Sequence, residues 1–200
     1  MKYKSIVIIT ILWIFIVILD YYQIPYFISP FLWLILSIFL LIYSIIQIVK
    51  IFTRKENYRI IKSLISLCLL FLTVYGFYGI PHKLIENIDW KIYKNERMKI
   101  VNDVLNEKLK PNSTYNQQLC SLNNNYKNVS NGGNEILISS YKGKKTIKFW
   151  ISRGFFDAPQ SYFIYTNSSE DQKFYEDLIK KDQNYNWKIE PNWYRIVERE

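Results

Sequence analysis

The side chains that could do chemistry in this sequence are few and widely spaced. There is one histidine, His82, and there are two cysteines, Cys68 and Cys120. A zinc site needs three or four ligands at short spacings, and no such set exists here. His82 stands beside Pro81 at the edge of an apolar run and reads as a helix-end residue. No GxSxG elbow, Walker loop or GxGxxG follows a strand pattern, and Gly132-Gly133 reads as a turn rather than a phosphate cradle. The carboxylates are scattered singly. A pair such as Asp157 with Glu190 would have to be assembled by the fold to act as acid and base. Asp20, at the end of an apolar run, offers an intramembrane acid or a simple helix-end group. No cofactor, metal or small-molecule substrate is expected.

One stretch has the composition of a contact surface. In "FWISRGFFDAP", Trp150, Arg153, Phe155, Phe156 and Asp157 bring aromatics and both charges together, the usual material of binding hot spots. The same residues also suit a second role, covering a sheet or packing on a helix. Both readings stand at this stage. Lys142, Lys144, Lys145 and Lys148 form a basic hairpin that either contacts anionic head groups or is solvated.

The elements that must position these residues begin with three apolar runs. Half of the 200 residues are hydrophobic, yet the mean hydropathy is only −0.07, so the apolar residues are unevenly spread. No charge occurs from Ser5 to Leu19, from Tyr21 to Val49, or from Ser63 to Pro81. Each run is near the roughly 20 residues that cross a bilayer, which predicts three transmembrane helices within residues 1–81. Ser29 is the expected N-cap of the second, followed by Pro30, with its end near Val49. Asp20 to Ile28 would be a tight turn, and Tyr75, Phe77 and Tyr78 an aromatic belt closing the third run. Gly76 and Gly79 would allow close helix approach. A cleaved signal peptide is the rival for the first run, but "DYYQIPYF" offers no small residues at a cleavage spacing.

Lys2, Lys4, Lys50, Arg54, Lys55, Arg59 and Lys62 fall on one side of that arrangement, and the turn from Asp20 to Ile28 has no Lys or Arg. The positive-inside rule then places the amino terminus in the cytoplasm and residues 82–200 outside a cell membrane. Lys83, Lys91, Lys94 and Arg97 lie against that rule, although long translocated domains largely escape it. The basic stretch "KIFTRKENYRIIK" sets topology rather than binding nucleic acid.

Residues 82–200 carry 19 Lys and Arg against 15 Asp and Glu, a charge of +4 that suits solubility and not a nucleic-acid footprint. With Cys120 alone there, no internal disulfide can form. The expected fold class is α+β: transmembrane helices, then a small antiparallel sheet with flanking helices. A helix is predicted up to Pro111, with Met98, Val101, Val104, Leu105 and Leu109 on one stripe. An Asn-rich connection follows, with a short strand near Leu119 to Leu122. Ile136–Tyr141 and Thr146–Arg153 form a hairpin around Gly143, with Ile147, Phe149 and Ile151 buried and Thr146, Lys148, Trp150 and Ser152 on a polar face. "SYFIYT" is a third strand. A helix opens at Ser169 to Gln172 with Phe174, Leu178 and Ile179 inward, and strands close the chain around Pro191. Three sequons, at Asn112, Asn128 and Asn167, occur at the frequency an Asn-rich chain gives by chance.

At "SNGGNEILI", "IKFWISRGFFDAPQSYFIYTN" and "NWKIEPNWYRI" the chain resembles a family of small uncharacterised bacterial membrane proteins with an extracytoplasmic C-terminal domain. The resemblance covers about Asp89 to Val197, implies a bacterial envelope protein, and brings no activity or site residue with it. The expected function is a membrane-anchored interaction module in contact with the lipid bilayer. Its outer domain would bind a protein or envelope component, as an assembly subunit or a toxin-immunity factor does. The alternative is an envelope enzyme working through carboxylates that the sequence does not pair.

Overall fold

The computed structural model describes residues 3–22, 28–54, 58–76, 80–131, 133–153 and 159–198, with backbone alone at 54, 75–76 and 80–82. Of the turn expected from Asp20 to Ile28, Asp20 to Tyr22 are instead helical, because the apolar helix continues through them, and 23–27 lie outside the described residues; Lys55, the aromatic belt and the Gly76/Gly79 approach lie partly or wholly outside them too, as does the side chain of His82. The chain divides into two compact units, Met1–Ile88 and Asp89–Glu200.

The first unit is helical. It contains α1 (Lys4–Tyr22), α2 (Ser29–Arg54), α3 (Tyr58–Phe71) and the start of α4 (Ile80–Leu105). Two of these, Lys4–Tyr22 and Ser29–Thr53, are long and apolar enough to cross a membrane. The third apolar run is divided: α3 has 14 α-helical residues and passes into a π-helical turn, Leu72–Gly76. The start of α2 differs by one position from the expectation. The amide of Leu32 donates to the carbonyl of Ile28, so Ile28 takes the capping place and Ser29 is already helical. The helix also runs on to Arg54, five residues past Val49, because Lys50 and Arg54 suit a helix C-terminus.

Small polar residues hold these helices together. Ser44 Oγ on α2 donates to Ser66 Oγ on α3 at 2.8 Å, and Trp13 Nε1 on α1 donates to Thr73 Oγ1 in the π-helical turn at 2.9 Å. Asp20 lies within α1, and its Oδ2 accepts from Trp33 Nε1 of α2 at 2.9 Å. Arg59 and Lys62, of the basic stretch between the apolar runs, are in α3 and buried, each near the Tyr58 ring at 5.2 and 5.1 Å.

The second unit is an antiparallel sheet of six strands in the order β1-β2-β3-β4-β6-β5. The strands are β1 (Leu119–Ser121), β2 (Glu135–Tyr141), β3 (Lys144–Ser152), β4 (Gln160–Thr166), β5 (Trp187–Glu190) and β6 (Trp193–Glu198). Helix α5 (Ser169–Lys181) connects β4 to the edge strand β5. The α+β class is as expected. Gly143 turns the β2–β3 hairpin at φ 76°, a left-handed conformation that glycine adopts without steric cost.

Each face of the sheet is covered by a helix. On one, Ile136, Ile147, Phe149 and Phe163 meet α4, whose Trp90 ring lies 5.3 Å from Phe163 and 4.8 Å from Trp193. On the other, Leu119, Trp150, Tyr162, Ile164, Tyr194 and Ile196 form a core with Tyr175 of α5. The second face was expected to be polar, so this is a correction. Its physical cause is α5, which covers the face at Trp150, Tyr162, Ile164, Tyr194 and Ile196, while Leu137 and Lys148 on the same face are half-buried and Ser152 is exposed. On α5, Leu178 and Ile179 pack inward as expected, but their companion at the start of the helix is Tyr175, while Phe174 is 56% exposed. Ser168 is its N-cap and accepts from the amide of Asp171. Helix α4 stops at Leu105, short of Pro111; soon after it Glu107 turns at φ 62°, and the carbonyl of Val104 accepts from the Glu107 amide at 3.1 Å and from Lys145 Nζ at 2.8 Å.

The outer edge of β1 is closed by a side chain. Asn112 Nδ2 donates to the carbonyl of Ser121 at 3.0 Å, and Asn112 Oδ1 accepts from the Ser121 amide at 2.8 Å. The Asn112 amide also donates to Leu119 O, so one residue imitates a neighbouring strand.

Candidate functional site

The site lies at the C-terminal end of β3, from Trp150 to Arg153 just past the strand. The ladder to β4 shifts register between Trp150 and Ser152, a bulge, and because both faces are covered there Phe149, Trp150 and Ile151 are buried in succession. Trp150 is 7% exposed and belongs to the core beneath α5. Its ring lies 5.6 Å from that of Tyr162, and its Nε1 donates to Gln160 Oε1 at 3.1 Å. Tyr162 Oη donates to the same oxygen at 2.7 Å. The Trp150 backbone is also tied: its amide donates to Ser130 Oγ and its carbonyl accepts from the Asn131 amide, both at 2.9 Å. These bonds leave the indole one position.

Arg153 lies over that indole. Its guanidinium carbon is 4.0 Å from the Trp150 ring centroid, and Nη2 donates to Glu135 Oε2 at 2.6 Å. Glu135 is oriented in turn by a 3.2 Å contact between its Oε1 and Ser121 Oγ. The Arg153 side chain is 25% exposed, yet its Nε is buried with no hydrogen-bond partner among the described residues. The result is a cation fixed by an aromatic face on one side and a carboxylate on another, with part of its fork at the surface. Such a group presents charge in a set direction with little entropy left to lose.

Of the five residues expected here, the structure brings Trp150 and Arg153 into contact. Phe155, Phe156 and Asp157 lie outside the described residues. Glu190, the proposed partner of Asp157, is bonded by Lys94 at 2.6 Å. The basic hairpin separates into two kinds of lysine. Lys145 is drawn to Glu107 and Val104 O, and Lys148 pairs with Glu198 at 2.6 Å, while Lys142 and Lys144 remain at the exposed tip. Gly133 has φ 110°, as a turn requires, and Gly132 is outside the described residues.

Sequence reasoning missed a buried ion pair on the α4 face. Arg97, 2% exposed, donates from Nη2 to Asp89 Oδ2 at 2.5 Å and to Val129 O at 3.0 Å. Its guanidinium also stacks on Phe163 at 4.6 Å. The signal was present: Arg97 shares the helical phase of Ile100, Val101 and Val104, an apolar stripe in which a charge needs a partner.

Burial governs the titrating groups of the core. It pushes the Cys120 thiol above its usual range, so this cysteine is both enclosed and poorly ionised. It likewise raises the Tyr175 phenol far above its ordinary value, with the Glu198 and Asp171 charges adding to the shift. Tyr194 is raised mainly by burial, which the neighbouring Lys188 charge partly offsets. At the surface, Lys145 and Lys110 hold Glu107 below the usual carboxylate range. Among the described residues, no group of three or more His, Cys, Asp or Glu is placed to hold a metal ion. Comparison with known protein families, with curated proteins and with solved structures finds no match for the chain, so the reading of this site rests on its own geometry.

Proposed function

We propose that the protein is a membrane-anchored interaction module whose sheet domain binds a protein or envelope component through the surface around Arg153. Three spans, the third formed by α3 with its π-helical turn, would anchor it in a cell membrane. The amino terminus would be cytoplasmic and residues 82–200 extracytoplasmic. Support for the anchor comes from two helices of spanning length, and support for the orientation comes from the Lys and Arg bias of the short loops.

The observation that carries the binding reading is the Arg153 guanidinium, held at 4.0 Å over Trp150 and paired with Glu135, with its outer part exposed. An immobilised arginine beside an aromatic is the arrangement on which binding energy concentrates. The test is affinity purification of the full-length protein from its native membrane after crosslinking. Arg153→Ala should lose the specifically captured partner, whereas Lys180→Ala on the outer side of α5 should keep it. Equal capture by both variants would refute the Arg153 surface. Separately, reporters fused after Glu200 should be active only outside the cytoplasm, and activity inside would reverse the topology.

A further inference from the structure

Among the described residues after the third apolar run, the aliphatic side chains with large exposure are Leu84 at 60%, Ile88 at 47% and Ile92 at 63%. All three are on α4, and their spacing of four residues places them on one stripe of the helix. This stripe is opposite the face of the helix that bears Trp90, Arg97 and Ile100. Lys91 lies between Ile88 and Ile92 on the same face, exposed and without a carboxylate partner among the described residues. Asn95 and Lys99 continue the face, and no acid occurs on it from Leu84 to Lys99.

We propose that this face of α4 is a membrane-interface surface: Leu84, Ile88 and Ile92 sit at the boundary of headgroups and acyl chains, and Lys91 among anionic phosphates. The inference rests on the membrane-anchored reading above. Three observations select the bilayer as the occupant. Helix α4 begins at Ile80, four residues after the π-helical turn that closes the last apolar run, so its first turns emerge where a bilayer surface would be. The face is apolar with cations and lacks acids, which complements anionic lipid. Its aliphatic side chains also stop at Ile92, although the helix continues to Leu105. A helix seam for a second copy would gain from apolar residues further along. An interfacial segment needs them only near the membrane.

The test uses the full chain in vesicles of mixed anionic and zwitterionic lipid, with Cys68→Ser as background and one fluorophore per variant. Labels at Ile92→Cys and Leu84→Cys should be quenched by nitroxide lipids carrying the spin label near the headgroup. A label at Phe174→Cys, exposed on α5, should not be. A label at Ile45→Cys, on the outer side of α2, reports the anchor itself. If Ile45 is not quenched by acyl-chain nitroxides, the anchored reading fails. If Ile45 is quenched while Ile92 and Leu84 match Phe174, the anchor stands and this inference is overturned. Self-quenching between labelled copies at Ile92, without quenching by lipid, would identify a second copy as the occupant and likewise overturn it. Lys91→Glu should reduce the headgroup quenching at Ile92 in anionic vesicles.

Discussion

The two units of this protein solve opposite problems with the same kinds of side chain. In Met1–Ile88, large aliphatics point outward and small polar groups pair inward, as in Ser44 with Ser66 and Trp13 with Thr73. In Asp89–Glu200 the aliphatics are inside, and the buried polar groups form branched sets. Arg97 reaches Asp89 and Val129; Thr146 reaches both Thr166 and Asp171. The first unit also leaves Asp20 Oδ1 and Gln47 Oε1 buried without a partner among the described residues. Where the surroundings are themselves apolar, polar contacts give helices their register and add little net energy, because a helix satisfies its own backbone. Where water surrounds the unit, desolvation makes each buried charge expensive to leave alone.

That contrast sets a scale of effects. The largest should follow from breaking the buried pair. Asp89→Ala leaves the Arg97 guanidinium enclosed without its carboxylate and should destabilise the sheet unit by about 3–5 kcal/mol. Hydrogen exchange of the sheet amides in the full-length protein in detergent would read the loss. Protection unchanged by the substitution would show that water or Val129 O suffices. Trp150→Ala should cost about the same, roughly 3–5 kcal/mol, because it opens a cavity beneath α5. Arg153→Ala should cost far less, so the pair of variants distinguishes core from surface within one contact.

A smaller effect concerns alkaline pH. The Tyr175 phenol is raised well above its ordinary 10.0 in the folded state. Its contribution is therefore complete below pH 10.0 and is lost as pH rises from there toward the folded value. Denaturation curves of Tyr175→Phe should show less of this loss, and an identical decline would place the titration elsewhere. In the helical unit, the membrane-anchored proposal sets the expected cost of Ser44→Ala at only about 0.6 kcal/mol, the average for hydrogen bonds between membrane helices. The smallest change should come from Glu107. Lys145 and Lys110 depress its folded value below the usual 4.5, so the stabilisation is present above 4.5 and disappears as pH falls through the folded value. Glu107→Gln should flatten this slight acid dependence, and an unaltered slope would refute the assignment.

Much of the sheet was legible because local signals agreed. Gly143, the alternation on β3 and the strand either side of Pro191 all specify short antiparallel segments. The burial of Trp150 was not legible from alternation, since period two separates two faces and does not say whether the second is covered. The information lay in neighbouring strands: "SYFIYT" and "WYRIV" are apolar at nearly every position, the mark of a sheet covered on both sides. In α5 the adjacent Phe174 and Tyr175 differ by one residue in phase, and the choice was decided by the packing of Tyr175 on Tyr194 at 5.5 Å. The contact of Arg153 with Glu135 joins residues 18 apart across strands whose register depends on the turn chemistry. At the candidate site, residue types were readable while partners were not.

Asn112 gives the sheet an unusual dependence on where the protein is made. Its side-chain nitrogen closes the edge of β1, and the same nitrogen heads an Asn-Ser-Thr sequon. A cell that attaches sugars to secreted chains would have to use that atom, and a glycosylated Asn112 could no longer hold both backbone groups of Ser121. The sheet would then present a bare edge beside a bulky carbohydrate. Chains produced in a host that leaves asparagine unmodified keep the edge closed, so the choice of host decides which of two surfaces the molecule displays.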